Sequence, residues 1–225
     1  YEGGCIAVPG VFNSLAARMA EKAGFEAVCM SGAALTASRS VPDIGLLTAD
    51  EFLDETRFLT TATKLPLIVD VDTGFGGPLN VERTVRSFEG AGAAAVQIED
   101  QQLPKRCGHL SGKSLVSTEE MVQKLRAASD GRGAPDFVIV ARTDARGVEG
   151  FDAAVSRAHA YMEAGADVIF PEALETVAEF EGFARAVEAP LVANMTEFGR
   201  SPLLSVDELA GMGYAMALFP ATAFR

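Results

Sequence analysis

Two kinds of hydrophobic pattern alternate along this chain. Short, unbroken apolar runs rich in β-branched residues occur at Cys5–Val8, Ala27–Ser31, Leu65–Asp72, Ala94–Glu99, Phe137–Thr143, Asp167–Phe170, Leu191–Asn194 and Met216–Pro220. Runs this short and this apolar predict parallel strands covered on both faces, because a half-exposed strand would alternate apolar and polar positions. Between them, apolar residues recur at helical spacing over Asn13–Ala23, Val81–Ala91, Thr118–Ala128, Phe151–Ala164 and Val206–Gly211, with an extra helix near Ala49–Thr60. An S/T-x-x-E capping box marks helix starts at Thr48 with Glu51, Ser117 with Glu120, Thr176 with Glu179 and Ser205 with Glu208. Gly24, Gly92 and Gly165 stand where a helix end must turn into the next strand.

This alternation predicts an α/β fold, a closed (β/α)8 TIM barrel, forming a single domain over 1–225. A doubly wound open sheet is the alternative, since periodicity carries no information about closure. No helical pattern follows the last strand run, so the barrel is expected to lack its eighth helix in this sequence. A polar, Gly- and Lys-containing insert after the fourth strand, about 101–114, is expected to lie on the C-terminal rim as a lid.

Composition narrows the partners. With 31 acidic against 19 basic residues the formal net charge is −12, which excludes a general binder of nucleic acid or of anionic membranes. The 48% hydrophobic content excludes disorder. Three cysteines without CxxC spacing argue against a disulfide framework and for a reducing, cytoplasmic setting. No apolar stretch is long enough to span a bilayer, and Tyr1-Glu2-Gly3-Gly4 has no leader character.

The candidate chemistry clusters at strand ends. Asp70 and Asp72, two apart at the end of an apolar run, would project to one side of a strand. Two like charges so placed call for a cation or a shared proton. Mg2+ suits them, as a hard ion held by one or two carboxylates with water and substrate completing its shell; a turn built on Asp72-Thr73-Gly74 is the plainer alternative. Glu99 ends the fourth strand, and Asp43 follows the second. The insert carries Lys105-Arg106-Cys107-Gly108-His109, a basic neighbourhood expected to lower the thiol pKa and favour a nucleophile or proton donor. A solvated basic loop is the alternative, and a zinc site would need two further ligands. Cys5 and Cys29 read as core. Arg142 at the fifth strand end suits a substrate carboxylate. Glu172, Asn194, Thr196 and Arg225 follow the sixth, seventh and eighth strands, where structural ion pairs are the alternative for the charged ones. Ser31 and Gly32 are placed to offer backbone N–H groups to an anion. Gly74-Phe75-Gly76-Gly77 lacks the last glycine of a dinucleotide fingerprint, and no P-loop is present.

Val69-Asp70-Val71-Asp72-Thr73-Gly74-Phe75-Gly76, Gln97-Ile98-Glu99-Asp100-Gln101 and Lys105-Arg106-Cys107-Gly108-His109 together resemble the isocitrate lyase/phosphoenolpyruvate mutase superfamily over nearly the whole chain. The KRCGH insert is similar to the lyase branch. Ala141-Arg142-Thr143-Asp144-Ala145, Pro171-Glu172-Ala173 and Asn194-Met195-Thr196-Glu197-Phe198-Gly199 look most like the 2-methylisocitrate lyases. The resemblance implies a Mg2+-dependent carbon–carbon lyase of a 2-hydroxy di- or tricarboxylate, with Mn2+ as the other candidate ion. It implies that Asp70 and Asp72 hold the metal while Asp43 and Glu99 reach it through water. Cys107 would be the catalytic acid, with Lys105 and His109 beside it. Ser31, Gly32, Gly108, Arg142, Glu172, Asn194, Thr196 and Arg225 would bind substrate. A homotetramer is the assembly implied. Leu110-Ser111-Gly112-Lys113 is similar to the inserts of dimethylmalate lyases and oxaloacetate hydrolases or decarboxylases, so these remain alternatives. Phosphoryl chemistry of the mutase kind and a non-catalytic barrel are the others.

Overall fold

The structure, a computed structural model, describes residues 4–225; Tyr1–Gly3, on which the reading of the N-terminus rests, lie outside the described residues. The eight strand runs become β1 (Ile6–Val11), β2 (Val28–Met30), β3 (Leu67–Asp70), β4 (Ala95–Glu99), β5 (Val138–Thr143), β6 (Val168–Pro171), β7 (Val192–Asn194) and β8 (Met216–Phe219). All pair in parallel in the order β6-β5-β4-β3-β2-β1-β8-β7. The pairing of β1 with β8, in register from Ile6 opposite Met216 to Pro9 opposite Phe219, decides for a barrel over an open sheet. The β6–β7 seam is held by one parallel bridge, Ile169 to Leu191, and by the Ile169 N–H donating to the Pro190 carbonyl at 3.0 Å.

The helices are α1 (Ser14–Ala23), α2 (Gly32–Ser38), α3 (Ala49–Ala62), α4 (Pro78–Gly90), α5 (Thr118–Gly131), α6 (Phe151–Glu163), α7 (Val177–Ala186) and α8 (Val206–Met212). Both α2 and α3 lie between β2 and β3, and no helix follows β8 in the chain described. Thr48 with Glu51 and Ser205 with Glu208 form complete capping boxes. Ser117 and Thr176 cap through their hydroxyls alone. Glu179 instead turns to Arg146, with Oε1 2.8 Å from Nη2.

Two apolar layers result. The larger lies between strands and helices, around Phe52, Phe88, Leu125, Tyr161, Phe183 and Tyr214. The smaller fills the barrel itself with Val8, Cys29, Val140, Val168, Phe170, Val192 and Leu218, so the interior is a packed core and only its rim is available for chemistry. Among the described residues no helix is long and apolar enough to cross a membrane.

Gly10 sits where β1 meets the segment after β8, and a Cβ there would run into the Pro220 backbone, whose Cα would lie 2.8 Å away. Neither backbone can yield without parting the strands that close the barrel. Gly10→Ala should therefore lower stability by about 1–3 kcal/mol, read as a lower urea midpoint with an unchanged slope.

Candidate active site

The residues singled out at strand ends converge on one mouth of the barrel. A cavity of about 160 Å3 there is lined by Ser31, Asp43, Asp70, Lys105, Cys107, Gly108, His109, Arg142, Glu172, Asn194, Thr196 and Arg225, with Cys29, Gln97, Phe170 and Leu218 also at its walls. An open groove of about 290 Å3 between α3 and α4 is larger but includes none of these residues.

Asp70 is the last residue of β3, but Asp72 is not a strand neighbour two residues on. It lies past the strand with φ 48°, in the left-handed region, and its N–H donates to Asp70 Oδ1 at 3.2 Å. The expected strand alternation is thus wrong, although the turn still brings the pair together: a Cβ on Gly32 would lie 3.0 Å from Asp70 Oδ2 and 3.6 Å from Asp72 Oδ1. A side chain at position 32 would press on the Asp70 carboxylate. A second correction concerns Ser31 and Gly32 as an anion cradle. The Ser31 N–H donates to Val11, the Ser31 hydroxyl caps α2, and the Gly32 N–H faces Asp70 Oδ2 at 3.4 Å. The two amides are thus engaged, whereas the Ser31 hydroxyl accepts the Ala34 N–H and keeps its own O–H to donate.

The insert is closed at its neck by the antiparallel bridge of Gln101 with Leu115 and by the Gln102 N–H donating to Ser114 at 2.8 Å. From this neck it lays three side chains into the mouth. Lys105 Nζ lies 2.5 Å from Asp43 Oδ1 and 2.7 Å from Asp72 Oδ1. His109 Nε2 lies 2.9 Å from Glu172 Oε1, and Lys113 Nζ lies 2.7 Å from Asp144 Oδ1. His109 Nδ1 accepts the Arg200 N–H at 2.9 Å, which places the ring proton on Nε2, toward Glu172. Gly108 passes so close to Arg142 and Glu172 that a Cβ would overlap the Glu172 side chain and lie 2.5 Å from Arg142 Nη2.

Arg142 is the strand-borne cation of the mouth. Its Nε donates to Asp144 Oδ2 at 3.0 Å, it lies 3.5 Å from both Glu99 and Glu172, and its guanidinium carbon stands 5.3 Å over the Phe170 ring. Burial works against its charge, but the surrounding carboxylates, Asp144 first, hold its pKa well above the ordinary arginine value. Asn194 Nδ2 donates to both oxygens of Glu172, at 3.2 and 3.1 Å, which fixes the amide orientation and leaves Asn194 Oδ1 buried without a donor. Arg225 is exposed and tied to Glu197 at 3.2 Å, and Thr196 is half-buried on the same side.

The thiol differs from expectation. Lys105 and His109 are turned onto carboxylates, and Arg106 donates outward to the Ser111 carbonyl at 3.4 Å, so no basic side chain of the motif serves Cys107. Cys107 is exposed as a residue, yet the protein packed around its sulfur desolvates it and raises its pKa. The His109 N–H and Arg142 oppose that rise, and Glu172 and Asp43 add to it. The lowered pKa inferred from sequence is therefore corrected: at neutral pH the sulfur carries its proton. Cys29 is buried core, and Cys5 is partly buried.

The acids are unevenly compensated. Asp43 Oδ1, Asp72 Oδ1 and Glu99 Oε1 are buried and accept no hydrogen bond; the two aspartate oxygens have only the off-axis ion-pair contact with Lys105. Burial, opposed by Lys105 and reinforced by Asp70, lifts the Asp72 pKa to about 6. Burial also pushes Glu99 well above the ordinary carboxylate value despite Arg142 and Lys105. Among the described residues no three His, Cys, Asp or Glu side chains close around an ion by themselves. Hard carboxylate oxygens without a hydrogen bond on Asp43, Asp72 and Glu99, gathered beside Asp70, fit an ion such as Mg2+ that keeps water and substrate in its shell.

The sequence matches the phosphoenolpyruvate phosphomutase family over residues 1–225. The chain belongs to that family. It is 57% identical over 220 residues to a 2-methylisocitrate lyase of Aeropyrum pernix, an alignment covering 98% of this chain and 71% of that protein. A crystal structure of 2,3-dimethylmalate lyase, of the same superfamily, superposes with a TM-score of 0.95 at 38% identity, covering 99% of this chain and 75% of the other. Phosphonopyruvate hydrolase in complex with oxalate and Mg2+ superposes with a TM-score of 0.86 at 34% identity, covering 96% and 75%.

Within this family member, sequence reasoning missed Asp144, Lys113, Gln97 and Arg200. A signal was present for Gln97, a lone amide inside an apolar strand. Asp144 and Lys113 stood in quoted motifs, but nothing in their spacing says that they meet.

Glu172 yields a pH test. Burial alone would raise its pKa; Arg142, the His109 hydrogen bond and Lys113 overcome this and hold it at about 2, below the ordinary 4.5. A group depressed in this way contributes stability that is full above pH 4.5 and drains away as pH falls toward 2. Glu172→Gln should lose about 3 kcal/mol at pH 7. Urea midpoints measured from pH 7 downward should show the two proteins converging as the pH drops through that window.

Proposed function

We propose that this chain is a 2-methylisocitrate lyase, cleaving its substrate to pyruvate and succinate, with residues 101–114 acting as a lid over the mouth of one barrel unit. The observation that supports the reading is the Cys107 thiol carried by the insert at the wall of one cavity that also takes in Asp43, Asp70 and the buried Arg142 guanidinium. A retro-aldol cleavage needs that combination. The substrate hydroxyl gives its proton to a carboxylate of the mouth, its electron pair forms the new carbonyl as the C–C bond breaks, and the departing carbon, left with the bonding pair, must be protonated.

Asp70 and Asp72 would hold a Mg2+ ion, with Glu99 and Asp43 behind them, and such an ion supplies Lewis-acid polarisation of a hydroxyl and its neighbouring carboxylate. Arg142 binds a substrate carboxylate by charge-assisted hydrogen bonds and, fixed by Asp144 and Phe170, meets negative charge as it develops without having to reorganise. Asn194 Oδ1 accepts a hydrogen bond from a substrate hydroxyl or protonated carboxyl. Lys105, held by Asp43 and Asp72, keeps its proton and serves as a fixed cation. Cys107 Sγ–H then protonates the succinate carbanion as general acid. His109 keeps its proton on Nε2 toward Glu172 and so positions the insert.

Turnover of 2-methylisocitrate, isocitrate, 2,3-dimethylmalate, oxaloacetate and phosphonopyruvate, each with and without EDTA, tests the proposal. The expected result is EDTA-sensitive release of pyruvate and succinate from 2-methylisocitrate with the highest kcat/KM. Faster cleavage of dimethylmalate or phosphonopyruvate would assign the site to another reaction of the superfamily.

Cys107→Ser should retain the fold and lower kcat by about a hundredfold or more, the scale of a positioned acid. Undiminished turnover in that variant would remove the thiol from the reaction.

A further inference from the structure

We infer that Lys113 is a positioning residue that latches the insert, tying its closed form to the carboxylate that sets the Arg142 guanidinium. Lys113 lies just before the neck of the insert, its side chain 3% exposed against an Asp144 side chain that is fully buried. Its Nζ donates both to the Gly108 carbonyl, within the insert, and to Asp144 Oδ1, on the barrel. Asp144 in turn receives Arg142 Nε on Oδ2 at 3.0 Å and Arg142 Nη2 on Oδ1 at 3.4 Å. One carboxylate therefore serves an insert cation and a strand cation together.

Asp144 cannot follow the insert outward. Its N–H donates to Asp100 Oδ1 at 2.9 Å, and buried Asp100 also accepts the Thr143 hydroxyl at 2.7 Å and the Tyr161 hydroxyl at 2.8 Å. Opening must then separate Lys113 from Asp144, free the Gly108 carbonyl, and lift Gly108 away from the Arg142 guanidinium it covers. Closing returns the ammonium to Asp144 and the Gly108 backbone to its place over Arg142. The position of the insert and the surroundings of the guanidinium thus change in one step. Replacing one partner of a buried, hydrogen-bonded ion pair favours the state in which the other is solvated, which here is the open insert.

The inference rests on the insert acting as a lid, as proposed above, but its main test needs no substrate. In the substrate-free protein, iodoacetamide alkylation of Cys107, followed by peptide mapping, and tryptic cleavage after Arg106 both report the open fraction. Lys113→Met should raise both rates roughly ten- to hundredfold, the size of a lost charge-assisted hydrogen bond, with the protein still folded and unfolding cooperatively above the assay temperature. Asp144→Asn should do the same, and the double variant should be no more reactive than the stronger single one. In the same Lys113→Met protein, kcat/KM for 2-methylisocitrate should fall by a similar factor.

Unchanged alkylation and cleavage in Lys113→Met would overturn the latch, as would additive effects in the double variant. If Asp144→Asn fails to fold, the Lys113→Met rates decide alone. Should both rates rise while no diacid is turned over, the latch stands and the lyase reading falls. Normal turnover of 2-methylisocitrate with both rates unmoved leaves the lyase and removes the latch.

Discussion

Carboxylates crowd the mouth of this barrel more densely than a protein interior tolerates unaided. Asp72, Glu99, Asp144 and Glu172 are buried there, with Asp43 and Asp70 partly so. Each such charge, taken out of water, costs several kcal/mol unless a partner restores what solvent supplied. Two sources of positive charge answer this, and they differ in kind. Arg142 comes from β5 and cannot leave. Lys105 and Lys113 come from the insert, so part of the compensation is supplied by a loop rather than by the barrel. Even so the compensation is incomplete: Asp72, in contact with Lys105, and Glu99, whose Oε1 accepts no hydrogen bond, both keep raised pKa values, and that residue of negative charge is what a divalent ion would answer.

The same accounting explains the state of the thiol. The two lysines of the insert bracket Cys107 in sequence, and in space each is held by an acid of the barrel, so neither is free to stabilise a thiolate. Burial does most to raise the pKa of the sulfur, Glu172 and Asp43 add to it, and the His109 N–H and Arg142 only oppose it. An environment that pairs its cations elsewhere keeps a thiol protonated, which suits delivery of a proton and disfavours nucleophilic attack. The acidity of the mouth and the role of the cysteine are thus one property seen from two residues.

Much of this could be read from the sequence because parallel strands announce themselves as unbroken apolar runs, and all eight runs became strands with ends displaced by three residues or fewer. Strand ends then delivered Asp70, Glu99, Arg142, Glu172 and Asn194 to the rim. Elsewhere tertiary contacts overrode local pattern. Helix α2 is too short and too poor in periodicity to register; the Ser31 hydroxyl caps it, while the Ser31 and Gly32 amides go to Val11 and Asp70. Asp72 was placed by strand alternation, which holds only within a strand, whereas the chain leaves β3 at Asp70 and enters a left-handed turn. The thiol pKa was inferred from neighbours along the chain, and side chains adjacent in a loop need not face the same way.

Beneath the mouth the polar contacts are of a different character. Asp100 is satisfied by Thr143, Tyr161, Arg157 and the Asp144 N–H, and Arg157 continues to the Val116 carbonyl at 3.0 Å and to Glu149 at 2.8 Å. This network joins α6 to the end of β5 and to the foot of the insert. Under the Asp72 turn, buried Lys124 of α5 donates to the Thr73 carbonyl at 3.3 Å and supports a stretch where Asp72, Gly74 and Phe75 all have positive φ. Left-handed backbone at Asp72 and Phe75 costs of order 1 kcal/mol or more apiece, and it persists only where surrounding structure holds it. The floor therefore consists of hydrogen-bonded polar groups that fix Asp72 and Asp144 from the barrel side, while the contacts above them are ion pairs made by the insert.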